Sequence, residues 1–134
     1  MLLKKSKIIC TLLGASLLAL PIIASAALTI VNNTSHDSTT IINNTCSTAI
    51  GSDGITHPHS VNQVSDMNIR LVCFMTPNNC VADVRMTADC SGESVATVVY
   101  DVDSGVKQAT LTPAGALAGY RLSHSGNAIQ FDGN

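Results

Sequence analysis

The sequence predicts an all-β fold, an antiparallel β-sandwich of about eight short strands stapled by disulfides. Apolar and polar residues alternate with a two-residue period over several short runs, the mark of strands with one buried face. Asn, Asp, Gly and Pro recur between those runs at intervals of roughly ten residues, as turns of a sandwich do. Cys46, Cys73, Cys80 and Cys90 fall within the patterned region, where a modest core of Val, Ile, Leu and Ala gains from cross-linking.

The first residues form an export leader rather than part of that fold. Lys4, Lys5 and Lys7 make a basic n-region, Ile8 to Ile23 an apolar run broken by Gly14 and Pro21, and Ala24-Ser25-Ala26 an A-x-A cleavage site of bacterial type. The apolar run is shorter than the ~20 residues of a spanning helix. Ile9 precedes Cys10 where a lipoprotein signal needs a small residue. Residues 1–26 are therefore expected to be a cleaved signal peptide and 27–134 a single β-sandwich domain, periplasmic or extracellular and free of the membrane.

Cleavage leaves Arg70, Arg85, Lys107 and Arg121 against nine acidic side chains, a formal charge of four minus nine, or −5. Nucleic acid and anionic membranes require clustered Lys and Arg, which are absent. Phe74, Tyr100, Tyr120 and Phe131 are too few for a stacking platform.

Leu28-Thr29-Ile30-Val31 reads as the opening strand, stopped by Asn32-Asn33-Thr34-Ser35, whose side chains bond their own backbone. Thr39 to Ile42 is a second strand closed by Asn43-Asn44-Thr45. The sequons at Asn32, Asn33 and Asn43 are read as turns. From Cys46 to Ser60 the pattern dissolves into a polar loop with Gly51 and Gly54 as hinges, long enough to suggest a functional role. Val61 to Val64 reads as a short edge strand.

Met67, Ile69, Leu71 and Cys73 then alternate with Asn68 and Arg70, and from Cys80 to Cys90 the even positions are apolar. Thr-Pro-Asn-Asn separates the runs, predicting a β-hairpin. Val95 to Tyr100 is β-branched on both faces and reads as a central strand covered on both sides. Asp101 to Gly105 turns the chain into a strand over Val106 to Leu111. Ala116 to His124 and Asn127 to Phe131 form a last hairpin about Ser125-Gly126. No convincing helix is expected, apart from one turn over Ala114 to Ala118.

Four cysteines allow three pairings. On a continuous strand Cys80 and Cys90 would lie roughly 30 Å apart at about 3.3 Å per residue, whereas a disulfide joins Cα atoms about 5.5 Å apart. In the hairpin Cys73 lies beside Cys80 and is equally far from Cys90. The surviving pairs are Cys73 with Cys80 and Cys46 with Cys90. Zinc is disfavoured by the absence of short C-x-x-C pairs.

His57-Pro58-His59, with Asp53 or His36-Asp37 nearby in space, is the most suggestive binding motif. Two imidazoles and a carboxylate could meet a ligand or a metal, but two histidines alone do not make a metal site, so His57, His59 and Asp53 are taken as binding residues and no metal or cofactor is assigned. Asp101-Val102-Asp103-Ser104-Gly105 begins like a calcium loop and lacks its closing glutamate. No nucleophile elbow is present, so no catalytic residue is assigned and the chain is read as a non-enzyme.

The opening Leu-Thr-Ile-Val-Asn-Asn-Thr-Ser, the core from Pro77 to Gly92 and the closing Asn-Ala-Ile-Gln-Phe-Asp-Gly resemble small Sec-exported four-cysteine proteins found as paralogues in intracellular gammaproteobacteria. The resemblance implies export and a host-associated life without implying an activity. The expected function is a binding module that recognises a protein or glycan through loops at one end of the sandwich. The alternatives are a surface-fibre subunit assembled by strand addition, with Phe131 near the terminus, and a small secreted hydrolase.

Overall fold

The computed structural model describes residues 26–133. Residues 1–25 of the expected leader lie outside them, whereas Ala26, its expected last residue, stands at the start of the first strand. The chain runs β1 (Ala26–Asn33), β2 (Thr39–Ile42), β3 (Thr45–Cys46), a 3-10 helix (Ser47–Gly54), β4 (Ser60–Ser65), α1 (Asp66–Val72), β5 (Cys80–Arg85), β6 (Ser94–Asp101), β7 (Gly105–Leu111), α2 (Pro113–Leu117), β8 (Arg121–Ser125) and β9 (Ala128–Asp132). The strands form a four-stranded sheet in the order β4-β1-β9-β8 and a five-stranded sheet in the order β3-β2-β5-β6-β7. The fold is all-β and sandwich-like, as the alternation predicts. Every pairing between named strands is antiparallel except that of β1 with β9, which runs parallel from Thr29 opposite Ala128 to Asn33 opposite Asp132.

The inner faces meet in two apolar clusters. One gathers Val84, Val98, Ile129 and Phe131, and the other Val64, Ile69, Cys73, Cys80 and Tyr100. On β6 Ala96, Val98 and Tyr100 are buried on one face, and on the other Val95 is buried while Thr97 and Val99 are half-buried. The expected burial on both faces is met only at the start of the strand. Helix α2 covers only the start of the strand, where Gly115 lies so close to the Val95 carbonyl that a Cβ would collide with it.

Two of the predicted strands are otherwise built. Residues 66–72 form a helix because Ser65 caps it, its hydroxyl accepting from the Asn68 N–H at 3.2 Å, and because Asp66 and Arg70 pair at 2.8 Å with i,i+4 spacing. These local terms outweigh a short alternation that is equally compatible with one helical face. Strand β5 stops at Arg85, and the chain bends away through Cys90, whose φ of 65° is left-handed. The long loop after Cys46 is mostly 3-10 helix, and Ala116 to His124 divides into the end of α2 and strand β8.

The disulfides are Cys46–Cys90, with Cα atoms 6.0 Å apart, and Cys73–Cys80, at 5.4 Å. These are the pairs reached by elimination, although the uninterrupted Cys80 to Cys90 strand used in the elimination does not exist. The first joins the start of the 3-10 helix to the bend after β5. The second joins the end of α1 to the start of β5.

Turn chemistry follows the asparagines at 43 and 44, whereas Asn32 and Asn33, expected to stop the first strand, lie within β1 and pair with β9. Asn43 (φ 50°) and Asn44 (φ 63°) form the two-residue loop between β2 and β3, where both central residues of a type I′ turn need positive φ. Asn32 is fully buried: its amide donates to the carbonyls of His36, Thr56 and His57, and its oxygen accepts from Thr34. The Asp101 carboxylate accepts from the N–H groups of Asp103 and Ser104 and so closes its turn.

Candidate functional site

Helix α1 divides the apolar residues that alternation would have put on one buried face. Ile69 and Cys73 point into the core, whereas Met67 and Leu71 are 78% and 64% exposed. Immediately beyond the helix, Cys73 is pinned to Cys80, and the turn between them is closed by Thr76 N–H to the Cys73 carbonyl (3.0 Å) and Asn79 N–H to the Thr76 carbonyl (3.1 Å). Held in this turn, Phe74 and Met75 stand 80% and 76% exposed. Isolated exposed apolar residues are ordinary; a contiguous set on a rigid support marks an interaction surface.

All of these exposed side chains except Met67 belong to one wall of a groove of about 350 Å³. Leu71, Val72, Phe74 and Met75 lie on that side, and Ile42, Ala49 and Ile50, from β2 and the 3-10 helix, on the other. Asn43, Thr45, Cys46 and Ser47 complete the lining, which contains no charged residue.

The second wall is fixed from several directions. Its start is tied by Cys46–Cys90, and the Ser47 hydroxyl donates to the Gly54 carbonyl at 2.5 Å. A Cβ at Gly54 would run into the Ser47 carbonyl, so the closure requires glycine. Asp53 fastens the far end: its carbonyl accepts from the Asn62 amide at 2.9 Å and its carboxylate from the Asn68 amide at 2.8 Å.

Asp53 is thus half-buried and engaged with α1 and β4, while the histidines occupy a different place. His57 and His59 are exposed. The His57 Nδ1 lies 2.9 Å from Asp37, and the His59 N–H donates to the Thr34 carbonyl at 3.2 Å. The three residues grouped in the sequence analysis have separate partners here, and none of the groove's lining residues is a histidine. Among the described residues no set of three or more His, Cys, Asp or Glu is placed to hold a metal.

A connected cluster of charged and polar side chains lies on the five-stranded sheet. Asp83 meets Arg85 at 2.7 Å and accepts from the Ser94 hydroxyl, and Arg85 also donates to the Gly92 carbonyl at 2.5 Å. Burial pushes the Asp83 carboxyl up, but the Ser94 hydroxyl and Arg85 guanidinium together outweigh it and hold the group below the ordinary aspartate value. Burial raises the phenols of Tyr100 and Tyr120. The Tyr100 hydroxyl donates to the Ala27 carbonyl at 2.6 Å, anchoring β1.

Sequence reasoning missed the apolar wall. Its signals were Ser65-Asp66 with Arg70, which mark a capped helix, and Phe74-Met75 inside a short Cys-to-Cys turn, where a clamped loop keeps large side chains from reaching the core.

No curated protein matches the chain. The crystal structure of the Legionella pneumophila type II secretion system substrate NttC is similar, with a TM-score of 0.59 and 25% identity, covering 81% of this chain and 98% of that chain. A family model described as T2SS substrate NttC matches residues 3–130, a span that includes both disulfides and both walls of the groove. The chain therefore belongs to the NttC family of type II secretion substrates and is a secreted protein.

Proposed function

We propose that the protein is a non-enzymatic binding module, released to the outside of the bacterium and possessing a host-directed role, that takes an apolar group of its partner into the groove between α1 and the 3-10 helix. The observation that carries the reading is the exposure of Leu71, Phe74 and Met75 in the groove wall on a frame anchored by two disulfides. Such side chains gain nothing from water and add nothing to the core, and a rigid support lowers the entropy lost on binding. A glycan is the poorer fit of the two partner classes expected from the sequence, because Phe74 is the sole aromatic residue of the lining and few polar side chains converge there. The extracellular destination is supported by the family's description as secretion substrates.

Two paired variants test the reading in a titration with an apolar fluorescent dye such as ANS, which reports accessible apolar surface. The folded wild type should bind the dye saturably. Phe74→Ser with Met75→Ser should lose that binding at an unchanged melting temperature, and His57→Ala with His59→Ala should retain it. Dye binding unaffected by the groove variant would refute the assignment.

A further inference from the structure

Behind the groove lies a cavity of about 70 Å³ between the two sheets. Ile42, Ile50 and Val72 line both spaces and are themselves only half-buried, so the partition between groove and cavity is a single layer of side chains. Beyond it the cavity is bounded by Val64, Ile69 and Tyr100, which are buried. The volume is about half of the roughly 150 Å³ of an apolar cavity that admits benzene, enough for the end of an alkyl chain and too small for an aromatic ring.

We propose that the groove and cavity together bind one hydrocarbon chain of a monoacyl amphiphile, the body of the chain lying along Leu71, Phe74 and Met75 and its end passing the Ile42, Ile50, Val72 partition into the sandwich. This deepens the groove reading above and rests on it. Two observations select an uncharged chain. Although hydroxyl residues such as Ser38, Thr40 and Thr56 border the cavity, the surface it presents is almost entirely apolar, so a water there would find few polar partners. The groove lining carries no charge on a chain whose described residues are otherwise strongly acidic, and Asp53, at the cavity edge, is occupied by Asn68. An ionic or peptide-polar occupant would lose its hydration there without replacement. A neutral alkyl chain loses nothing, and each methylene buried tightens binding about fourfold.

The test uses the folded protein with its disulfides intact and lysophosphatidylcholines below their micelle concentrations, in a series lengthened by pairs of methylenes. Affinity should rise by about fifteenfold per pair until the space is filled. The methyl resonances of Ile69 and Val64 should shift, with nuclear Overhauser contacts to the terminal methyl of the chain. Val72→Trp should block entry and abolish those contacts; Ala49→Trp, on the exposed lip, provides a second block if the first variant does not fold. Shifts confined to Leu71 and Met75, or affinity independent of chain length, would overturn the inference by showing adsorption on the rim. Binding to phosphatidylcholine vesicles without binding of the monomer would overturn it in favour of a bilayer surface. If the dye binds in the groove and no lysolipid does, the groove reading stands and the acyl inference falls; if neither binds, both fall.

Discussion

The Asn68 side-chain amide donates to the Asp53 carboxylate at 2.8 Å, and this bond fastens the 3-10 helix to α1, one wall of the groove to the other. Asp53→Ala leaves the Asn68 amide without its partner and should lower stability by about 1 to 2 kcal/mol in urea unfolding. Asp53→Asn retains an acceptor and should lie close to wild type. The alanine variant should also show faster amide exchange in 47–54 while exchange in β6 is unchanged, separating a loosened wall from a general loss of stability.

Removing the Cys46–Cys90 bond should cost more than removing Cys73–Cys80. The bonded residues are 44 and 7 apart in sequence, and loop-closure entropy in the unfolded chain gives about 4 and about 2 kcal/mol respectively. Chemical unfolding of the two double Cys→Ser variants checks the order. The Cys73–Cys80 variant should also lose dye binding more than its stability change requires, because that bond shapes the Phe74 and Met75 turn.

Stability should decline as the solution is acidified below about pH 4. Asp83 has a folded-state pKa held below its ordinary value, and Asp89, Asp101 and Asp132 are lowered too by hydrogen bonds from Ser91, Asp103 and Asn33. A carboxylate depressed in the folded state stabilises above its unfolded pKa of about 3.9 and loses that contribution as pH falls through the folded value. Melting curves between neutral and acid pH should therefore be steeper for wild type than for Asp83→Asn. The raised tyrosines act at the other end: their contribution is complete below about pH 10 and is lost as pH rises through the folded values.

Val98→Asp should prevent folding. Val98 is 3% exposed in the centre of the sandwich, and an unpaired carboxylate there costs several kcal/mol, a large share of the total of about 5 to 15 kcal/mol for a domain. His57→Ala should change stability by less than about 0.5 kcal/mol, because its contact with Asp37 is made by a 70% exposed imidazole. Circular dichroism distinguishes the two outcomes directly.

Strands whose residues were dictated by one buried face were legible from the sequence: Thr39–Ile42, Ser60–Ser65, Gly105–Leu111 and Ala128–Asp132 fall where the alternation and turn residues put them, while the strand before Gly126 begins only at Arg121 and not at Ala116. The region 66–72 was not, because Ile69 and Cys73 satisfy a two-residue period and an i,i+4 helical spacing equally. The choice between them lies in the Ser65 cap and the Asp66–Arg70 pair, terms of about 1 kcal/mol or less each. That one misreading also concealed the candidate site, since a strand would have buried Met67 and Leu71 with Ile69. Asp53 was recognised as noteworthy, but which partner a half-buried carboxylate meets across the fold depends on tertiary contacts that spacing does not encode.

The parallel pairing of β1 with β9 has a bearing on when the protein can become itself. Asn33 sits opposite Asp132, and the two side chains share a 2.9 Å hydrogen bond across 99 residues of sequence. Until β9 has been delivered, β1 has only β4 beside it, and the four-stranded half of the sandwich cannot assemble. Contacts that distant form late and slowly. The four-stranded sheet is therefore completed only when both ends of the domain are available to each other, and a chain held open at either end keeps that half of the sandwich unbuilt.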